Sequence, residues 1–421
     1  MKGSVSEFLR EVPLERLPGT LGRELEVGKA IAQWEGKGPV ISFQVEGAEG
    51  ESVSNMVDTR EKLRKAMGAR EDSEAYAKLL EAMSSPGELK VGGAPKLREA
   101  ERGLLSLPAA RFYEKERGLY LSSSLFIACW ESICNASIHR INVRGERRGV
   151  VRVVPRHLWE LYKRATSKGH DLPVTVLLGV HPAVEIAAAT SPRFGLFEMG
   201  IAAKILGSLE AFESPLHRNP VPAGASAVIE GYLTREMEEE GMFVDVIRTY
   251  DKLRPQPVLK VEKVFLSEEP THVILSGGAE SSNLMGFSRE AAIWEAVSRV
   301  VPRVHRVRLT KASGGWLHAI VSLTKTHEGD GKNAIMAAFS GHPSLKMVIV
   351  VDEDINVDDW EEVEWALATR FQADEDLVLV RGARGSTLDP SAKEGLTTKM
   401  GMDATKPLNA GIEFERARIR A

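Results

Sequence analysis

Residues 118–154 read GLYLSSSLFIACWESICNASIHRINVRGERRGVVRVV, and this stretch decides the fold class. β-Branched and aromatic residues come in short runs broken by the turn-like Arg144-Gly145-Glu146, which predicts successive strands. Asn135, Ser137 and His139 alternate with apolar residues, so on a strand they share one face while Arg140 points the other way. Pro155 then opens a helix running through Lys168. His157 sits in its first turn, Leu158 and Leu161 on one face, and Gly169 just past its end. A buried strand over 173–180 and a short helix over 182–190 follow.

Before this stretch, a predicted strand at 39–45 is followed by helical patterns over 59–69 and 73–83, and the glycine- and proline-rich segment 84–95 reads as a loop. A second β-rich block covers 225–275. A long helix over about 282–301 is predicted to join two domains. Beyond it, strands at 317–323, 347–351 and 377–380 alternate with helices at 332–339 and 357–369, the pattern of an α/β sheet. The expected class is therefore α+β followed by α/β. The expected boundaries are an α/β N-terminal part (1–104), a β-rich core (105–287), a connecting helix (288–301), an α/β domain (302–405) and an Arg-rich tail (406–421).

A length of 421 residues allows two or three domains, and 43% apolar with 27% charged residues is ordinary for a globular chain. The 55 basic and 59 acidic residues give a net charge of −4, which argues against a dedicated nucleic-acid binder. The longest uncharged runs, 118–130 and 172–184, are thirteen residues each, too short to span a bilayer. The charged start after Met1-Lys2-Gly3-Ser4 lacks a secretory apolar run, so a cytoplasmic protein is expected. In that compartment Cys129 and Cys134 are expected to be reduced, small core residues. Eight Asn and four Gln beside abundant Glu and Arg suggest a thermophilic origin.

Common nucleotide, metalloprotease and hydrolase motifs are absent from the sequence. Asn135, His157 and Glu230, the last following four small or apolar residues, form one candidate oxygen-rich site for Mn²⁺ or Mg²⁺; the alternative is three unrelated surface residues. The segment Ser276-Gly277-Gly278-Ala279-Glu280-Ser281-Ser282-Asn283 is either an anion-attracting helix start or a plain cap with Ser281 or Ser282 at its N-terminus. Lys399, among hydroxyls and glycines, suits a phosphate or a solvated loop.

Together, Asn135–Arg140, Pro155-Arg156-His157, Val221-Pro222-Ala223 with Ile229-Glu230-Gly231, Asp352-Glu353-Asp354-Ile355-Asn356-Val357, Trp365-Ala366 with Thr369-Arg370, and Lys399–Thr405 resemble the signature blocks of the UbiD-like decarboxylases, in the family's order. The resemblance covers roughly 105–406. It implies a flavin-binding domain with a split β-barrel-like sheet, a connecting helix and an oligomerising C-terminal α/β domain. It also implies prenylated FMN held with a divalent metal and K⁺, supplied by a flavin prenyltransferase. By position, Asn135, His157 and Glu230 would hold metal and flavin phosphate. Ile138, His139, Arg140, Arg156, His157 and Lys399 would contact the cofactor, Arg140 would face the substrate carboxylate, and Glu280 would be the catalytic acid, dry enough for a raised pKa. The family's proline-rich segment and its Glu-Gly-Pro block are replaced here around Gly277–Ser282 and Glu240–Asp245. Compactness and a Gly/Ser-rich segment point, within the family, to the archaeal members acting on trans-anhydromevalonate 5-phosphate. The alternatives are an aromatic acid or a non-catalytic flavin-binding subunit.

Overall fold

The computed structural model describes residues 2–417, which form two compact units, Met1–Met285 and Gly286–Ala421. The end of the expected tail, 418–421, lies outside the described residues. The division falls inside the helix Ala279–Ser298, which begins three residues before the predicted start. Ser281 and Ser282 are therefore not N-caps. Their turn is already closed by the Ser282 N–H and the Ser281 hydroxyl, both donating to the Gly278 carbonyl.

The first unit is built on a closed antiparallel barrel. Its strands run, in spatial order, Ala227–Glu240, Leu172–Leu178, Leu119–Trp130, Ile133–Gly145, Arg148–Val151 and Arg254–Leu266, and the last pairs back onto the first. Inward residues such as Phe126, Val176, Ile229 and Val261 fill it, and Leu158, Leu161 and Ala165 of the helix His157–Ser167 pack on the same core. Those two leucines carry the predicted helical face. Gly231 sits at a register shift beside Lys260, whose carbonyl would lie 2.2 Å from any Cβ placed there. A smaller sheet orders Leu14–Leu21, Val40–Val45, Ser52–Ser54 and Thr271–His272.

The hairpin 119–145 corrects one expectation. Trp130 pairs with Ile133 across a two-residue turn in which Glu131 and Ser132 both have positive φ, so Cys129 and Cys134 face each other with Cα atoms 4.0 Å apart. They form a disulfide in partly exposed positions, not a pair of free core thiols.

In the second unit the sheet orders Val304–Leu309, His318–Leu323, Met347–Asp352, Leu396–Ala404 and Leu377–Arg384, with the central three parallel. The segment holding Lys399, read as a loop, is thus a central strand. Ile293, Val297 and Val301 pack with Ala334 and Ile335 against this sheet. At its carboxyl edge the motif residues bind one another. Arg370 pairs with Asp352 at 2.8 Å and Asp354 at 2.7 Å, and the Lys406 N–H donates to Asp352. Among the described residues no helix is long and apolar enough to cross a membrane.

Glu280 belongs to a buried network that ties the first unit together. Its Oε1 accepts from the Val57 N–H (2.8 Å), its Oε2 from the Asn55 N–H (2.9 Å), and His272 Nε2 lies 3.1 Å from Oε1. His272 Nδ1 lies 2.8 Å from Glu185, on the helix Pro182–Ala188. Burial alone would lower the His272 pKa, but carboxylates on both sides, Glu185 and Glu280, raise it to about 10. Burial would raise Glu280, yet His272 and the Val57 and Asn55 N–H groups bring its net shift down. The expected raised pKa at Glu280 is thus reversed, because burial came with donors. Burial keeps Glu185, which has fewer donors, shifted up. A raised histidine pKa contributes stability that is full below about pH 6.5 and is lost as pH climbs through about 10. Urea unfolding midpoints should therefore fall between pH 6.5 and 10 in the native chain, and flatten over that range in His272→Gln.

Candidate functional site

The strand Ile133–Gly145 carries two groups of polar residues on opposite faces. On one face Asn135 Nδ2 donates to Glu198 Oε1 at 2.8 Å, and the adjoining Ala136 N–H donates to Glu198 Oε2 at 2.7 Å. His157, first residue of its helix, brings Nδ1 to 3.6 Å from Glu198 Oε1 and packs edge-on against Phe194. Further along, His139 Nδ1 lies 3.0 Å from the Arg152 carbonyl. That carbonyl can only accept, so Nδ1 carries the proton and Nε2 accepts. Desolvation pushes the His139 pKa down to about 4, keeping the ring neutral near pH 7.

A consequence follows for Asn135. The Ser137 hydroxyl lies 2.9 Å from His139 Nε2 and 3.0 Å from Asn135 Oδ1, with one proton to serve both. Given to His139, it leaves Asn135 Oδ1 with its lone pairs unclaimed beside a buried carboxylate and an imidazole. An amide oxygen, a carboxylate and an imidazole are a donor set suited to Mn²⁺ or Mg²⁺.

Glu230 is not part of this group. It is fully buried in the barrel strand Ala227–Glu240, where its carboxylate accepts from Thr175 Oγ1 at 3.0 Å and lies 3.7 Å from His217 Nε2. The carboxylate that meets Asn135 and His157 is Glu198, at the first position of the helix Glu198–Leu206, which the sequence reading missed. Its signal was the one used for Glu230, a lone acid in an apolar run, here Gly195-Leu196-Phe197-Glu198-Met199-Gly200-Ile201.

On the other face lies Arg140, 8% exposed. Its Nε and Nη2 donate to the two oxygens of Glu240 at 2.8 and 2.9 Å, and Nη2 also donates to Asp251 Oδ2 at 2.9 Å. Phe243 stacks on the guanidinium at 4.6 Å. Burial would lower this pKa, but Glu240 reverses it, so the shift is upward. Only Nη1 has no protein acceptor within hydrogen-bond distance among the described residues. It faces Asp245 Oδ2 at 3.7 Å. A bidentate grip on a ligand carboxylate is thus ruled out by the protein's own carboxylates, and a one-point contact through Nη1 remains.

The other predicted residues fall around these groups. Ile138 pairs opposite Leu125, half-buried, and Arg156 donates to Ser191 Oγ at 2.9 Å. Glu280 shares no partner with Arg140; it is held by the Asn55 and Val57 N–H groups, the Ser54 hydroxyl and His272. Lys399 lies in the second unit, where its ammonium donates to the carbonyls of Pro343 (2.6 Å) and Leu345 (2.8 Å), and burial shifts its pKa down.

Comparison with known proteins is consistent across the chain. Residues 90–279 match the model of the 3-octaprenyl-4-hydroxybenzoate carboxy-lyase Rift-related domain, and residues 282–404 that of the same enzyme's C-terminal domain. The anhydromevalonate phosphate decarboxylase of Aeropyrum pernix is 56% identical over 418 residues, covering 99% of this chain and 96% of that protein. Its counterpart in Methanocaldococcus jannaschii is 40% identical, covering 94% and 95%. Among solved structures, the UbiD-class enzyme HmfF of Pelotomaculum thermopropionicum in complex with FMN superposes with a TM-score of 0.94 at 35% identity, covering 99% of this chain and 97% of that one. With both domains matched in order and a barrel that brings Asn135, His157 and Glu198 together, the chain belongs to the UbiD family of carboxy-lyases.

Proposed function

We propose that this decarboxylase converts trans-anhydromevalonate 5-phosphate to isopentenyl phosphate and CO₂, with prenylated FMN as its cofactor. The observation that carries the reading is the Arg140 clamp, which leaves one guanidinium nitrogen beside one uncommitted carboxylate oxygen; the 56% identity to a named decarboxylase supplies the substrate. Asn135, His157 and Glu198 would hold a divalent metal, Mn²⁺ or Mg²⁺, against the flavin phosphate, with K⁺ as a further counter-ion. When bound, the prenylated flavin supplies the electron-accepting chemistry that lets the carboxyl group leave as CO₂.

The chain's own residues do the rest. Arg140 Nη1 orients the substrate carboxylate, and its rigidity is already provided by Glu240 and Asp251. A proton must then replace CO₂. Glu240 has both oxygens bound to Arg140, and Asp251 is shared among Arg140, Arg152 and Arg254. Asp245 has Oδ1 bound by the Val246 N–H at 2.7 Å and Oδ2 uncommitted on the Nη1 side, so Asp245 takes the donor role earlier given to Glu280. Lys399, satisfied by carbonyls, has no necessary part in this reading. A flavin prenyltransferase would supply the cofactor. The exposed Leu379 and Val380 on the strand Leu377–Arg384 support self-association through the second unit.

Three outcomes are expected. Glu198→Gln should lose metal, by elemental analysis, and flavin, by absorbance, whereas Glu230→Gln should keep both. Asp245→Asn should retain flavin and lose about 10²–10⁴-fold in kcat with the phosphorylated enoic acid; turnover of a benzoate in preference to that acid would overturn the substrate. Light scattering at micromolar concentration should report an oligomer, and a monomer would remove the assembly proposal.

A further inference from the structure

We infer that Arg152 is the residue that recognises the substrate's phosphate and so sets specificity; this rests on the reading of the substrate as a phosphorylated enoic acid. Arg152 is fixed beside the site by its main chain. Its N–H donates to the Arg140 carbonyl at 3.2 Å, and its own carbonyl accepts from His139 Nδ1 at 3.0 Å. The side chain is 16% exposed, so its charge is largely withdrawn from water.

That charge is poorly matched by the protein. The carboxylate nearest the Arg152 guanidinium among its ion pairs is Asp251, 3.5 Å from Nε and outside hydrogen-bonding geometry. Asp251 already accepts from Arg140 Nη2 at 2.9 Å and is in close contact with Arg254. Arg140 is covered by Glu240 as well. One carboxylate therefore serves three guanidinium groups, and Arg152 is the one left with the weakest share. Burial, then repulsion from Arg254 and Arg140, shifts its pKa down against the pull of Asp251. A partly buried cation short of a counter-charge is a place for an anion, and a guanidinium fork fits a phosphate monoester.

Rival positions fit less well. In the segment 277–282 the Gly278 and Ser282 N–H groups are spent on Leu275 and Gly278 carbonyls. Arg248 is anchored through Nε to the Gly277 carbonyl at 2.6 Å but is exposed, so water already solvates it.

The same chemistry could come from flavin mononucleotide, and the test separates the two. Arg152→Met keeps the apolar stem and leaves Asp251 paired with Arg140 and Arg254, so the fold should survive. Calorimetry on FMN-loaded protein would compare trans-anhydromevalonate 5-phosphate with its dephosphorylated acid. Loss of a charged hydrogen-bond pair should weaken the phosphorylated acid by about 10–100-fold, leave the dephosphorylated acid and FMN affinity unchanged, and be partly restored in Arg152→Lys. Weaker FMN binding with discrimination intact, or equal loss for both acids, would overturn the assignment. A native protein that discriminates while Arg152→Met discriminates equally overturns this inference alone. A native protein that does not distinguish the two acids overturns it together with the substrate reading.

Discussion

The buried ion pair of Arg140 with Glu240 is the constraint on which the first unit's site depends. It joins the strand Ile133–Gly145 to the end of Ala227–Glu240, two strands on different sides of the barrel. Desolvating both charges is expensive, and removing one partner of such a pair typically costs about 3–5 kcal/mol because the other is left uncompensated. The pair is therefore weak evidence for stability and better evidence for position. Two parallel bonds from Nε and Nη2 fix the guanidinium plane, and that plane decides which nitrogen the protein leaves uncommitted.

Two acids that look alike in sequence differ in the same way, one buried and the other half-buried. Glu280 and Asp245 both stand near glycines in a segment that departs from the family's usual pattern. Glu280 collects main-chain N–H groups and a cationic histidine, which favour its charged form and hold it in place. Asp245 keeps one oxygen uncommitted beside Arg140. A group that must give up a proton to a ligand needs an oxygen the protein has not already used. On that criterion the proposed donor is Asp245, not Glu280, whose oxygens the protein already uses.

Much of the fold was legible because it rests on local periodicity. The 118–154 strands, the Pro155 helix with its Leu158 and Leu161 face, and the alternating pattern beyond residue 302 all follow from side-chain spacing within a few residues. What was not legible depends on pairing across the chain. Cys129 opposite Cys134 requires a turn with positive φ at Glu131 and Ser132, residue types that do not announce it. Lys399 read as a loop because its strand, Leu396–Ala404, holds glycine and hydroxyl residues and is recognised by its neighbours on both sides. Asn135 and His157 stood out through the strand and helix that carry them, and the family resemblance joined them as one candidate set. Glu198 was not, since its nine-residue helix begins without a side-chain cap.

The connection between the strands Ala227–Glu240 and Arg254–Leu266 shows how an irregular segment can be rigid enough for chemistry. Met242 N–H donates to the Asp251 carbonyl, Asp251 N–H to Phe243, Asp245 N–H to Thr249 and Arg248 N–H to Asp245, so the loop is folded on its own main chain. Buried Glu116 accepts from Val244 N–H at 3.1 Å, and Tyr120 Oη donates to the Gly241 carbonyl at 3.1 Å. These contacts use backbone atoms at one end of each bond. Side chains add fewer ties: Asp245 Oδ1 accepts from the Val246 N–H, Arg248 Nε donates to the Gly277 carbonyl, and Asp251 is bound into the arginine cluster beneath. Main-chain bonds thus fix the path of the loop, and Asp251 ties that path to the guanidinium of Arg140, so the clamp and the loop hold each other in place.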